Sequence, residues 1–319
     1  MTTDTPTRPD GRVTRRPRGA PSRPRRGWSR WAATARALPW LGPTLVLIAG
    51  VVFFPAGYMA WTSVRDLSQF GVDNGPAGFD NYARLLEFTA LPRVLTNTVV
   101  WVLGVVVVTV LISLGLAQFL DKAFPGRRFV RLAIIVPWAA SVVMTTTVVY
   151  YGLDPFYGII NAFLVDVGLL DQPYGFTRNA VPAFLTAMGI AVFVSLPFTT
   201  YTLLAGLQTI PGDVREAAAM DGAGPWATYR RIILPLLRPA LAVATIINII
   251  NVFNSLPILQ VITGSIPGYN ADTTTTLIFK FIRADRQIDT AAALSIVNFL
   301  IVLAVILVYL KVVKPMRDD

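Results

Sequence analysis

The sequence predicts an all-α membrane protein with six transmembrane helices, and three observations carry that expectation. Of its 319 residues, 54% are hydrophobic and only 14% charged, whereas a soluble domain carries about 25% charged residues. Marking every Asp, Glu, Lys and Arg leaves six long charge-free windows, 37–64, 94–120, 132–153, 179–212, 239–271 and 290–310. A helix needs about 20 apolar residues to cross the hydrocarbon core, and each window reaches that length. Strands of a membrane barrel would instead show alternating segments of about 10 residues. The third observation is charge alternation. The segments 1–37, 121–131, 213–238 and 311–319 carry +8, +3, +1 and +1, while 65–93, 154–178 and 272–289 carry −1, −2 and 0. The positive-inside rule then puts both termini and the loops 121–131 and 213–238 in the cytoplasm.

The chain divides into a tail over 1–37, a six-span membrane domain over 38–314 and a short C-terminal end over 315–319. The tail holds ten Arg against Asp4 and Asp10, together with five Pro. So little apolar surface cannot offset the entropy of ordering, and the tail is expected to be disordered. Arg-rich arms can bind nucleic acid. An arm directly before an apolar stretch more simply holds its end in the cytoplasm and touches anionic lipid, so lipid and not nucleic acid is the expected partner. Within the spans, Pro43, Pro55, Pro137, Pro182, Pro197 and Pro257 each free a backbone carbonyl that the bundle must satisfy.

Several function classes are excluded by what the chain lacks. It has no Cys and no His, which removes thiol nucleophiles, Cys-ligated zinc and the usual neutral-pH general base. No catalytic or metal-ligating constellation emerges. No ionisable residue lies inside the six windows, although proton-coupled and ion-driven carriers usually place carboxylates or His there. Any driving energy is therefore expected from elsewhere, with another subunit the obvious candidate, or there is none. The chain also has no G-x-x-x-x-G-K-[ST] phosphate loop and cannot hydrolyse ATP by that route.

The loop 211–239 reads PGDVREAAAMDGAGPWATYRRIILPLLRP. Pro211-Gly212 signals a turn, and Asp213 with Glu216 three residues on predicts a capping box opening a short Ala-rich helix. Gly222 suits the left-handed residue that ends it. Pro225 fits the first position of a second helix, with Trp226, Tyr229, Ile232 and Ile233 on its apolar face, and Pro235 stops or kinks it. Taken by itself, this chemistry is consistent with a well-made loop or with a rigid lever projecting from the membrane domain.

The run Glu216-Ala217-Ala218, then Asp221-Gly222-Ala223, Ile232 and Leu234-Pro235, resembles the EAA loop of ABC importer permeases with every spacing matched. Leu38-Pro39-Trp40, Phe79-Asp80-Asn81-Tyr82, Asn97-Thr98, Asp154 to Asn161 and Ala291 to Ser295 are similar to the carbohydrate, maltose-permease-like branch. Two features depart from it: Gly264-Ser265-Ile266-Pro267 stands where members often carry Gly-Gly-Pro, and Tyr150-Tyr151 stands near a frequent Trp. The resemblance implies a type I ABC importer permease fold. It also implies a second homologous permease, two ATPase subunits that bind ATP and Mg, and an extracytoplasmic solute-binding protein, in a bacterial cell membrane. This chain itself would bind no cofactor. Glu216, Ala217, Ala218, Asp221 and Gly222 would form the docking contact with the ATPase.

Neutral sugars are held by amides, hydroxyls and aromatic rings. Asn248, Asn251 and Ser255 are spaced to share one helix face of the fifth span, where Asn side chains are costly unless they meet partners or water. By resemblance to the carbohydrate branch, Val194, Ser195 and Phe198 around Pro197 join them in lining a solute path, with Thr199, Thr200 and Tyr201 extending the polar stretch. An uncharged lining suits a neutral disaccharide or oligosaccharide better than a glycerol-phosphate-type solute. A polytopic membrane enzyme is the reading from another class, and the absence of His weighs against it.

Overall fold

A computed structural model describes residues 39–264 and 266–313. The expectations for the tail, for 315–319 and for Ser265 fall outside these residues. The chain divides into two compact units between Ala56 and Gly57, a boundary that lies within helix α1 (Pro39–Thr62). The first unit contributes the start of α1, of note only for its length and apolarity; the packing and the sites belong to the second unit.

After α1 come a hairpin of β1 (Arg65–Leu67) and β2 (Asp73–Pro76), then α2 (Asp80–Glu87) and α3 (Leu91–Asp121). Next are α4 (Arg127–Ala139), α5 (Val142–Gly152), α6 (Ile159–Asp166) and α7 (Ala180–Gln208). The loop 211–239 holds α8 (Gly212–Met220) and α9 (Pro225–Leu236). The chain then runs through α10 (Arg238–Phe253), α11 (Leu256–Thr263), α12 (Thr274–Arg283) and α13 (Ile288–Val313). The small antiparallel hairpin is the one departure from an all-α chain among the described residues.

Helices α1, α3, α7 and α13 are each long and apolar enough to cross a membrane, matching four of the six windows. The other two windows are not continuous helices. In the third, α4 and α5 meet at 94°, because Pro137 weakens the end of α4 and Ala140 and Ser141 are extended. In the fifth, α10 ends at Phe253 and α11 starts at Leu256, and α9 joins α10 at a 68° bend. The count is therefore four spans, or up to six if each bent pair is one.

The break between α10 and α11 is built so that no backbone carbonyl is left bare. Pro257 has no N–H to give Phe253, whose carbonyl accepts instead from Thr275 Oγ1 at 2.8 Å. The Val252 carbonyl accepts from Trp101 Nε1 at 2.9 Å. Both donors come from neighbouring helices, as an apolar surrounding demands.

The central pair is α3 and α7, with α10 and α11 against them. Trp101, Val105, Ala187, Ile190, Ile249, Val252, Phe253 and Ile262 form the middle core. Leu120, Leu203, Leu207, Ile233 and Leu237 close the end that carries the 211–239 elbow. There α7 and α10 approach so closely that a Cβ on Gly206 would collide with Ala240, so glycine sets that spacing. Leu85, Leu91, Val94, Leu277, Phe281 and Leu294 close the opposite end.

At that opposite end, polar residues of the sequence motifs staple loops to helices. Asn81 donates to the Ser63 and Arg65 carbonyls at 2.9 and 2.8 Å. Asn161 donates to the Leu153 and Tyr174 carbonyls, and Asp154 Oδ1 accepts from the Phe156 and Tyr157 amides. In the hairpin, the hydrogen bond from Arg65 holds the Asp73 carboxyl below its ordinary value. Arg84 pairs with Asp289 at 3.0 Å, and the Asp289 side chain is only 2% exposed. Removing one partner of a buried pair costs about 3–5 kcal/mol, less where one side is open to water as Arg84 is. Arg84→Ala is therefore expected to lower stability by about 1–2 kcal/mol, read as a lower thermal midpoint in detergent, with Arg84→Lys intermediate.

Candidate functional site

Two features stand out, a polar cavity at the helix breaks and the exposed elbow. The cavity has a volume of about 490 Å³. The breaks create it: where α4 turns into α5 and α10 into α11, side chains cannot fill the space as continuous helices would. All six residues expected to line a solute path, Val194, Ser195, Phe198, Asn248, Asn251 and Ser255, lie on its wall.

One detail of that expectation is corrected. Ser255 does not continue the helix face of Asn248 and Asn251, because Pro257 and the residues before it end α10 at Phe253. It reaches the same cavity from the break, with its hydroxyl donating to the Asn251 carbonyl at 3.0 Å. Of the weaker candidates, Thr199 lines the cavity. Tyr201 instead donates to the Arg131 carbonyl at 2.8 Å, and Thr200 is fully buried.

Among the described residues, no Asp, Glu, Lys or Arg lines the cavity. Its polarity comes from amides and hydroxyls with spare capacity. Asn248 is 2% exposed and donates through Nδ2 to Thr199 Oγ1 at 3.3 Å. Thr199 Oγ1 in turn donates a hydrogen bond to the Ser195 carbonyl at 3.0 Å. The Asn248 carbonyl oxygen is buried with no partner among the described residues. A buried amide oxygen without a donor costs about 1–3 kcal/mol, and a hydroxyl-bearing ligand or water would recover it. The arrangement can bind and release a polyhydroxylated molecule. Nothing on its wall titrates near neutral pH.

Beside the residues expected to line the path, the wall carries Asn254, the third Asn of the fifth span, and two residues that a reading by windows and motifs passes over. Asn254 lies in the break and gives its Nδ2 to the Ile250 carbonyl at 2.8 Å. Ser141 and Trp138 come from the break between α4 and α5. Trp138 stands 6.1 Å from Phe198, centroid to centroid, the rings tilted by 47°. Pro137 was the available signal for both, since a proline inside an apolar run marks where a span opens.

At the elbow, α8 starts two residues earlier than the capping-box pattern implies. Pro211 occupies the cap position and no side chain caps the helix. Proline's fixed φ suits that position, so Asp213 falls inside the first turn, where its charge still favours the helix dipole. Glu216 is thereby released from capping: its carboxylate is exposed and has no partner among the described residues.

The C-terminal end forms as expected. Gly222 has φ +74°, its N–H bonds the Ala219 carbonyl at 3.1 Å and the Ala223 N–H bonds the Ala218 carbonyl at 3.0 Å, a complete Schellman turn. Pro225 opens α9 in its first turn. A π-turn over Tyr229–Ile233 precedes Pro235, which cannot donate to Arg231.

Glu216, Ala217, Asp221 and Gly222 face outward together. Ala218 does not, being 4% exposed. Helical periodicity separates it from 216, 217, 220 and 221 and groups it with Arg215 on the inward side. Met220, which motif matching passes over, is 88% exposed beside this face.

With this geometry in place, the comparisons with known proteins are direct. The chain belongs to the family of binding-protein-dependent transport system inner membrane components, whose model matches residues 18–314. A probable ABC transporter permease protein of Brucella suis is 32% identical over 279 residues, 87% of this chain and 96% of that one. The trehalose/maltose transport system permease protein MalF of Thermococcus litoralis is 30% identical over 276 residues, 86% of this chain and 92% of that one. The sn-glycerol-3-phosphate transport system permease protein UgpA of Yersinia pseudotuberculosis is 28% identical over 300 residues, covering 92% and 98%. Among solved structures, the bacterial alginate ABC transporter in complex with an alginate pentasaccharide-bound periplasmic protein aligns with TM-score 0.76 at 21% identity, covering 89% of this chain and 96% of that one. This is a membrane transport permease by family, and the structural likeness at 21% identity bears on fold alone.

Proposed function

We propose that the chain is a permease subunit of an ATP-driven, binding-protein-dependent importer and that its solute is a neutral sugar. The observation that carries this reading is the cavity: residues of α7 and α10, expected from sequence to line a solute path, surround one uncharged space with an unsatisfied buried amide oxygen. Two relatives carry sugar or glycerol-phosphate transport in their names. A phosphate or uronate would call for Arg or Lys on the wall, and among the described residues the wall has neither, so a neutral disaccharide or oligosaccharide fits best.

In this reading the elbow is the coupling element. Glu216, Ala217, Asp221 and Gly222, joined by Met220 and without the Ala218 side chain, dock on an ATPase subunit. Two such ATPases hold the ATP and Mg, a second homologous permease completes the pathway, and an extracytoplasmic binding protein delivers the solute. The protein sits in a bacterial cell membrane with both termini cytoplasmic, and its Arg-rich tail meets anionic lipid and no nucleic acid. The chain is non-catalytic.

The mechanism follows from the uncharged wall. Amides and hydroxyls replace the hydration of sugar hydroxyls at similar free energy, so the solute is neither trapped nor excluded. Trp138 and Phe198 offer ring faces to the apolar side of a pyranose. Trp138→Ala is expected to raise the half-saturating solute concentration about fivefold, the equivalent of about 1 kcal/mol of ring contact, at unchanged protein stability. Uptake by the assembled transporter, measured across solute concentration, checks this. Competition between neutral and anionic sugars in the same assay tests the solute class: stronger competition by the anionic sugar would overturn it.

A further inference from the structure

Asp121 is the last residue of α3, where its charge opposes the negative end of the helix dipole. An acid in that place needs a compensating partner, and it has one in Arg215 of α8, whose Nη1 lies 2.7 Å from Asp121 Oδ2. The two side chains are 38% and 17% exposed, so water screens the pair less than it would an open surface pair. Arg215 lies on the inward side of α8 with buried Ala218, and its Nε is buried without a partner among the described residues. Among the described residues, no element other than α9 packs broadly against α8. The ion pair is thus a discrete side-chain tie between the elbow and the bundle.

The helix at the other end of that tie is gripped at two more places by directional hydrogen bonds. Ten residues in from its far end, Trp101 holds the Val252 carbonyl at the break beside the cavity. At its far end, Asn97 Nδ2 donates to the Asn270 and Asp272 carbonyls at 3.0 and 2.9 Å, and Thr98 Oγ1 accepts from the Thr274 amide at 2.9 Å. A 31-residue helix spans about 46 Å, so α3 links the elbow, the cavity and the opposite end of the bundle as one stiff member.

We infer that the Arg215–Asp121 pair is a positioning link that makes α3 follow the elbow, so that displacement of α8 reaches the cavity wall through Trp101 and the far segment 270–274 through Asn97. This rests on the proposed coupling role of the elbow. It assigns to Arg215 and Asp121 a task distinct from docking: they touch neither solute nor nucleotide, and act by fixing how α3 moves with α8.

The test uses the complete transporter, with its ATPases, partner permease and binding protein, in proteoliposomes, and reads solute imported per ATP hydrolysed. Asp121→Asn is expected to leave assembly and ATP hydrolysis intact while the imported solute per ATP falls about fivefold, the low end of coupling between linked sites. Arg215→Asp should fall at least as far. The charge-exchanged pair, Asp121→Arg with Arg215→Asp, is expected to return the ratio to within about twofold of wild type, as interacting neighbours do in a double-mutant cycle. A wild-type ratio in Asp121→Asn, or an exchanged pair no better than the single variants in assembly and in ratio, overturns the link. Failure of the wild-type complex to couple uptake to ATP overturns instead the underlying reading of the elbow, so the two failures are distinguishable.

Discussion

Gly222→Val is expected to reduce ATP-driven uptake about a hundredfold while the chain still inserts in the membrane. Gly222 holds φ +74°, and a Cβ built there has nothing within 4 Å. The penalty is therefore not internal crowding. It is the strain of a β-branched residue in left-handed backbone, of order 1–3 kcal/mol, together with a side chain projecting from the face that carries Glu216, Ala217 and Asp221. If the strain is relieved by reopening the turn, the Ala218 and Ala219 carbonyls lose their caps and α9 is displaced. About 3 kcal/mol of combined loss corresponds to about a hundredfold. Gly222→Asn separates the two contributions, since Asn tolerates left-handed backbone. It should restore the turn, as read by protection of the elbow from proteolysis, while still weakening capture of the ATPase. Full transport in both variants would remove the elbow from the coupling pathway.

Asn248→Leu is expected to cut solute passage at least about tenfold without destabilising the fold. The substitution conserves shape, removes a buried carbonyl oxygen that has no partner, and frees Thr199, whose hydroxyl keeps its bond to Ser195. Replacing an incompletely satisfied polar group by an apolar one of similar shape is near neutral or stabilising. Passage should suffer because the wall loses its most buried amide. We expect uptake to fall at least about tenfold, which is about 1.4 kcal/mol of lost solute interaction, with the detergent thermal midpoint unchanged or raised. A lowered midpoint with proportionate loss of uptake would make Asn248 a packing residue that glues α10 to α7, the alternative role for a buried amide between spans.

Much of this molecule is legible in its sequence where a single physical rule acts alone. Window 179–212 becomes Ala180–Gln208, and window 290–310 becomes Ile288–Val313, because absence of charge is the only requirement for a straight span. The third and fifth windows satisfy the same rule and yet break. Their breaks depend on where prolines fall relative to the carbonyls they orphan, and on whether a neighbour such as Trp101 or Thr275 can reach those carbonyls. That is tertiary information. The loop 272–289 illustrates the opposite error. Its charges mark it as a connection, but Leu277 and Phe281, one turn apart, bury a face of α12 that is too short to register as a window.

The site shows the same division. Spacing alone puts Asn248 and Asn251 on one face, and the resemblance selects Val194, Ser195 and Phe198, and these meet in one cavity. Trp138 and Ser141 come from a segment about a hundred residues earlier in the chain, and no spacing rule connects them to Asn248. At the elbow, motif matching groups Ala218 with its neighbours although helix geometry turns it inward, and it leaves out Met220, which the same geometry turns outward. Residue identity locates the element; which residues face a partner is set by the 100° step between them.

In the proposed function, an uncharged path through this chain is opened by another subunit's nucleotide cycle acting on the elbow. The most direct test is uptake of a labelled neutral disaccharide or oligosaccharide, chosen by the binding protein's own preference, into proteoliposomes holding the complete transporter. Uptake that requires ATP hydrolysis, is indifferent to proton and sodium gradients, and is lost in Gly222→Val is the predicted result. Uptake by this chain alone, driven by an ion gradient with no ATP-hydrolysing subunit present, would contradict it.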